Sequence, residues 1–145
     1  MIDISPLRPE DRASWEVLAR GYKKFYATTV PDEGYEETWR QMMSGPVLHG
    51  IGARLNGSLV GIAHYLFHPM FWSPGACYLQ DLFVAEEVRG QGAASALIEQ
   101  VAQEARARGA ARLYWTTKQD NARARSLYDK VARFNGFIRY DFPLD

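Results

Sequence analysis

Three residues in an eight-residue stretch have the types and spacing to hold an anion. Arg89, Gly90 and Gly92 lie in VRGQGAAS, between an apolar run and a segment of helical periodicity. A glycine loop that leads into a helix start gathers several free backbone N–H groups, and the helix dipole adds partial positive charge there. Glycine is required where a Cβ would block a phosphate or forbid the backbone angles of the turn. Arg89 adds a full positive charge. The stretch is not a Walker loop, because no G-K-[ST] follows, and it lacks G-x-G-x-x-G spacing. Its chemistry is that of a pyrophosphate cradle, or of a bare structural turn.

The elements that must position this loop are legible on both sides. Tyr78 to Val84 is too short for a buried helix and has Pro74-Gly75 upstream, so it is expected to be a buried strand. Ala85 to Gln91 forms the loop. Ala93, Ala94, Leu97, Ile98, Val101, Ala102 and Ala105 then recur at helical spacing, and Gly109 supplies the stop.

Ahead of this unit, Ile2 to Pro6 reads as a first strand. Asp11 is placed to cap a helix carrying Trp15, Leu18, Ala19, Tyr22 and Tyr26, and a shorter helix spans about 34 to 43. Strands at 48–55 and 59–67 flank Asn56-Gly57-Ser58, a hairpin signal. Residues 68–76 read as an aromatic loop whose Phe71 and Trp72 either cover the sheet edge, line an acceptor pocket or make a subunit contact. A strand at 112–117, a helix from Asn121 and a last strand at 137–142 complete a mixed α/β pattern, expected to be one domain over 1–145.

Composition excludes several classes. Seventeen basic residues balance seventeen acidic ones, which argues against a nucleic-acid binder. No apolar run is long enough to span a membrane, and the start of the chain lacks a signal-peptide pattern. The single cysteine, Cys77, forbids an internal disulfide, fits a reducing cytoplasm and is expected to be a buried, inert thiol. His49, His64 and His68 are scattered without cysteine pairs, so no metal site is expected.

The segment Arg89-Gly90-Gln91-Gly92-Ala93-Ala94, preceded by Leu82-Phe83-Val84, resembles the Q/R-x-x-G-x-G/A signature of the GNAT superfamily of N-acetyltransferases. Asn121, with Tyr128 seven residues on, is similar to a second feature of that family. The resemblance covers about 48 to 142 and is closest in flavour to the histone and polyamine branch. It implies a six- to seven-stranded, mostly antiparallel sheet with about four helices, splayed between its two central parallel strands. It implies acetyl-CoA as cofactor, with Val88 to Ala94 on the pyrophosphate and Leu82, Phe83 and Val84 along the pantetheine arm. A main-chain N–H near Val84 is then the oxyanion donor, Asn121 a cofactor-side residue, and Tyr128 the acid that protonates the leaving thiolate. A homodimer is common in the family.

The implied reaction moves an acetyl group to a primary amine: a polyamine, an amino acid or a lysine side chain. The base is less clearly written. Polyamine-type relatives carry glutamate where this chain has Gln80, which cannot accept a proton. Asp81 follows it, but strand alternation turns Asp81 to the opposite face unless a bulge intervenes. The remaining sources are the acids from Asp32 to Glu37, a water relay, or an amine that arrives neutral. Asp32, Glu33 and Glu37 are read either as a solvated helix start or as a negative lip that selects and deprotonates a cationic acceptor, with Glu33 and Glu37 foremost. Trp72, Gln80 and Asp81 complete the expected acceptor site. The missing glutamate also keeps open a non-catalytic acyl-CoA-binding regulator.

Overall fold

A computed structural model describes all residues, 1–145. Its contacts divide the chain into two compact units, Met1–Trp115 and Thr116–Asp145. The first holds a five-stranded sheet in the order β1-β2-β3-β4-β5, with β1 at Ile2–Pro6, β2 at His49–Leu55, β3 at Ser58–Met70, β4 at Ser73–Val84 and β5 at Arg112–Tyr114. Neighbours are antiparallel except β4 and β5, which run parallel. Helices α1 (Arg12–Phe25), α2 (Asp32–Ser44) and α3 (Ala93–Ala107) pack on this sheet or on each other.

Strand alternation sorts the helices onto two faces. Val84 and its partner Gly61 approach Leu97 of α3, while Phe83, one residue earlier, approaches Gly21 of α1. Trp15, Leu18 and Ala19 of α1 are buried with Tyr35, Trp39 and Met42 of α2 on one side; Leu97, Val101 and Ala105 fill the other. Both faces of the central strands are therefore dry, which explains their long apolar runs.

Two hairpins set the register. Asn56 and Gly57 both adopt positive φ, 53° and 84°, as a two-residue primed turn requires. The expected aromatic loop at 68–76 is instead mostly strand: β3 continues to Met70, β4 starts at Ser73, and Phe71-Trp72 alone makes the turn. The two rings stack on each other at 4.2 Å and stand in solvent. Asp11 does not cap α1. Its carboxylate accepts the backbone N–H of Arg8 at 2.8 Å and a two-pronged guanidinium from Arg54 at 2.9 and 2.7 Å.

The sheet has five strands rather than six to seven. β5 covers three residues, not 112–117, and 137–142 forms no strand. A strand exists by pairing, and this segment pairs with none; Phe137, Ile138, Tyr140 and Phe142 are exposed. In the second unit α4, Ala122–Val131, begins at Asn121, whose side-chain oxygen accepts the Ala124 N–H at 3.4 Å. No helix is long and apolar enough to cross a membrane, and no three His, Cys, Asp or Glu side chains gather as metal ligands.

Candidate active site

The glycine loop is a fixed structure between β4 and α3. Ala85 N–H donates to Val60 O at 2.8 Å, and buried Val88 anchors a short 3-10 turn at Glu86–Val88. Gly90 and Gly92 adopt φ of 84° and 88°, and a Cβ on either would meet nothing within 4 Å. Of the two reasons for glycine, the backbone angle is therefore the operative one. Gly92 caps α3 with no side-chain hydrogen bond, which leaves the first amides, from Ala93 and Ala94 onward, without helical acceptors. Arg89 lies beside them, its guanidinium 5.8 Å from the Phe25 ring and 5.7 Å from that of Phe83; Gln91 is exposed. These residues fit an anionic cofactor end such as a pyrophosphate.

The strand end is equally suited to a bound arm. β5 pairs with β4 only from Ala76 to Tyr78, so Leu79 to Val84 have no partner on that edge. Because Ala85 bonds back to β3, alternation turns the N–H and C=O of Leu82 and Val84 toward the open side. The Val84 carbonyl there accepts Arg89 Nε at 3.3 Å. The parallel strands thus part as expected.

Asp81 reaches the α1 face because the bulge occurs. Tyr65 pairs with Leu79 and His64 with Asp81, so Gln80 is the extra residue, unpaired and exposed. Tyr65 and Leu79 belong to the α3 side; in a regular strand Asp81, two residues after Leu79, would follow them, and the bulge at Gln80 prevents this. Instead the Asp81 carboxylate meets His64 Nδ1 at 2.9 Å, and His64 Nε2 receives the Trp15 indole N–H at 2.9 Å. An indole can only donate, so Nε2 is the acceptor and the ring proton sits on Nδ1, pointing at Asp81. Burial pushes the Asp81 carboxyl up, but its partnership with His64, the positive charge of Lys23 and a hydrogen bond from Tyr22 outweigh this and hold it below the usual value. These groups line a cleft of about 80 Å³ with Tyr35, Thr38 and Phe83. A larger cavity, about 300 Å³, opens among Leu7, Met42, His49, Gln100 and Glu104, away from the loop and the strand end. The smaller cleft is the one that adjoins the chemistry.

The structure does not gather the other expected acceptor residues here. Trp72 sits at the hairpin tip, nine residues from Asp81 along the chain or roughly 30 Å at ~3.3 Å per residue. Asp32, Glu33 and Glu37 are exposed on α2, outside the cleft lining, which uses Gly34, Tyr35 and Thr38. Asp32 pairs with Arg20 at 2.8 Å, and Glu37 pairs with Arg40. They form no lip at this cleft. Sequence reasoning missed His64 and Trp15; an apolar-faced histidine opposite the aspartate of β4 was the available signal, but the bulge hid the register. Cys77 is fully buried, its thiol pushed up to about 11 by burial, and is inert. In the second unit, Asn121 caps α4 and donates to Thr117 Oγ1 at 3.4 Å, while Tyr128 is half-buried on the same helix.

A strand, a positive-φ glycine loop and a helix, beside a strand edge left open, point to one family, and comparison with known sequences decides it. The sequence model of the Acetyltransferase (GNAT) family matches residues 15–134. The chain belongs to the GNAT family. It is an acetyl-CoA-dependent N-acetyltransferase. A D-amino-acid N-acetyltransferase, HPA3 of Saccharomyces cerevisiae, is 34% identical over 136 residues, 90% of this chain and 84% of that protein. A thialysine N-epsilon-acetyltransferase of Bos taurus is 32% identical over 97 residues, 66% of this chain and 57% of its own length. Among solved structures, a ribosomal-protein-alanine N-acetyltransferase of Brucella melitensis biovar Abortus 2308 superposes with a TM-score of 0.78 at 25% identity, covering 99% of this chain and all of that one. The aminoglycoside acetyltransferase AAC(6')-Iy shares the GNAT fold at a TM-score of 0.87 and 17% identity, with 99% of this chain and 98% of its own covered.

Proposed function

We propose that this GNAT enzyme acetylates the amino group of a small zwitterion, an amino acid, by direct attack within a ternary complex. One observation carries the reading: Asp81 and Lys23, of opposite charge, line the same 80 Å³ cleft. A carboxylate for the ammonium and an ammonium for the carboxylate complement an amino acid better than a polyamine, whose charges are all positive. The yeast relative's activity on D-amino acids supports the same class. So does the bovine relative, whose name gives thialysine, an amino acid, as its substrate.

Acetyl-CoA supplies the acetyl thioester. The amides from Gly92 to Ala94, with Arg89 beside them, hold its anionic end, while Leu82, Phe83 and Val84 offer the strand edge along which its arm lies. Asp81 receives the acceptor's ammonium through the carboxylate oxygen that His64 does not occupy. The outward N–H of Val84 stabilises the oxyanion as the amine attacks. The amine's proton leaves by way of Asp81 and solvent, since a carboxylate held below its usual range is a better ion partner than a proton store. Tyr128 protonates the departing thiolate; a phenol near ~10 matches a thiol near ~8.5. Asn121 keeps the helix that carries Tyr128 capped. A regulator that only binds acyl-CoA would have no use for Asp81 and His64 in this arrangement.

Thiol release from acetyl-CoA across free amino acids of both hands, polyamines and lysine peptides tests the proposal. Amino acids should give the highest kcat/KM, and a Lys23→Ala variant should lose that preference over simple amines. Highest activity with spermidine, unaffected by Lys23→Ala, would overturn it.

A further inference from the structure

We infer that Trp15 is a positioning residue that sets the charge of the acceptor cleft, by keeping His64 neutral so that Asp81's negative charge stays uncompensated. The inference deepens the amino-acid reading above and rests on its assignment of Asp81 to the acceptor's ammonium.

The geometry is closed on both sides of the imidazole. Trp15 is 1% exposed and His64 4%, so neither water nor a second conformation competes readily for His64 Nε2. The indole N–H fills that lone pair at 2.9 Å, and the Nδ1 proton is committed to Asp81 Oδ2 at 2.9 Å. Adding a proton to His64 requires that Trp15 withdraw, because two N–H groups cannot face each other. Trp15 is itself held by neighbours: Tyr35 at 6.4 Å edge-on, Trp39 at 5.1 Å, and the Arg12 guanidinium at 5.4 Å over its ring.

The consequence is a matter of charge. An imidazolium beside Asp81 would give a pair of net charge zero, with no pull on an ammonium. A neutral imidazole leaves the pair at minus one, and also fixes the carboxylate's orientation by a hydrogen bond. The other groups facing the pair are Tyr22 and Lys23 from α1 and Tyr35 from α2. Of these only Lys23 is charged, and its charge adds to the reason for excluding a second cation next to Asp81. A carboxylate–histidine pair usually invites protonation in the range around ~6.5 where histidine titrates. Here the indole occupies the site that the proton would take.

The test uses the full-length enzyme with Trp15 replaced by benzothienylalanine, which keeps the two-ring shape but has sulfur in place of N–H. Trp15→Phe serves as a second variant. Nitrogen NMR of the unmodified enzyme is read first and needs no mutation. Its His64 should show a bare Nε2 and a protonated Nδ1 from pH 5.5 to 8.5, unchanged by acetyl-CoA. An imidazolium appearing within that range in the unmodified enzyme would overturn the inference. In the benzothienyl variant, His64 should titrate, and the acceptor KM should rise at least tenfold at pH 5.5 while returning to near the unmodified value at pH 8. The acetyl-CoA KM should stay within twofold. Acceptor KM profiles of identical shape in the two enzymes would also overturn it. A failure of the underlying reading is separately visible: Asp81→Asn would then leave the acceptor KM unchanged, whatever the nitrogen spectra show.

Discussion

Asp81 stands opposite His64 across the β3–β4 ladder only because Gln80 between Leu79 and Asp81 has no partner. One inserted residue reverses the side to which a strand's side chains point. The bulge absorbs that residue, so deleting Gln80 should leave Leu79 and Asp81 as neighbours on opposite faces of a regular ladder, with Asp81 still opposite His64. The deletion is expected to keep the His64–Asp81 pair and measurable turnover, at a lower level because the local twist of β4 changes. Gln80→Ala, which keeps the bulge, should leave both nearly unchanged. Measuring the two variants side by side separates the role of the bulge from that of the side chain.

Asp81→Asn should raise the acceptor KM by about tenfold to a hundredfold, the range expected for one charged hydrogen bond of roughly 1.5–3 kcal/mol. Acetyl-CoA affinity, measured by calorimetry, should not change, because Asp81 lies on the α1 face while the glycine loop and the α3 amides hold the cofactor's anionic end. The paired charge neutralisation Glu33→Gln with Glu37→Gln should leave kcat/KM for a cationic acceptor intact, since neither lines the cleft and Glu37 already pairs with Arg40. Loss of activity in that double variant would return the acidic segment to the mechanism.

Gly90→Ala and Gly92→Ala place a Cβ in open space but at φ near +85°. The cost is conformational alone, about 1–2 kcal/mol at each position. Each variant should stay folded with a modest drop in melting temperature. The acetyl-CoA KM should rise severalfold as the α3 amides shift, with the acceptor KM held.

Local signals were legible and long-range register was not. Asn56-Gly57 announces its hairpin because both positive φ angles suit those two residues, and Gly90 and Gly92 announce the loop for the same reason. Phe71-Trp72 is a turn with no turn residue; Trp72 sits at φ 59°, which no propensity favours, so β3 and β4 were read several residues short. That error, with the bulge at Gln80, concealed the meeting of Trp15, His64 and Asp81. The acids of α2 looked available because Arg12 and Arg20, which pair with Glu36 and Asp32, come from α1, while Arg40 pairs with Glu37 one helical turn on within α2. The segment 137–142 was read as a last strand, but a local reading supplies no partner to pair with.

Acid stability should depend on Asp11. Arg54's hydrogen bonds hold its carboxyl below the ordinary value of 3.8 against the opposing effect of burial, with the Arg8 N–H adding to the hold. A carboxyl depressed on folding contributes stability that is fully present above the unfolded value and is lost as pH falls through the folded one. Unfolding midpoints in urea should therefore hold from pH 7 to about 5 and decline steadily below about 4. Arg54→Ala strips a 6% exposed carboxylate of its two-pronged partner and leaves it mainly the Arg8 N–H, which should cost about 3–5 kcal/mol at pH 7. Much of that loss should be recovered near pH 4, where Asp11 can protonate. A variant equally destabilised at both pH values would show that Arg54 matters through packing rather than charge.

Tyr128 offers the sharpest separation of chemistry from binding. It is half-buried on α4, a helix with no fully buried residue, so its hydroxyl is not needed to fill a core. Tyr128→Phe removes one oxygen and keeps the ring, so the helix and the Asn121 cap should persist. As the acid for a thiolate, Tyr128 should matter only once the carbon–sulfur bond breaks. Turnover should then fall at least about tenfold with acetyl-CoA affinity nearly intact. The loss should shrink for an acyl donor whose thiol leaves without help, such as an aromatic thioester of low thiol pKa. An equal loss with both donors would assign Tyr128 to positioning, and unchanged turnover would remove it from the mechanism.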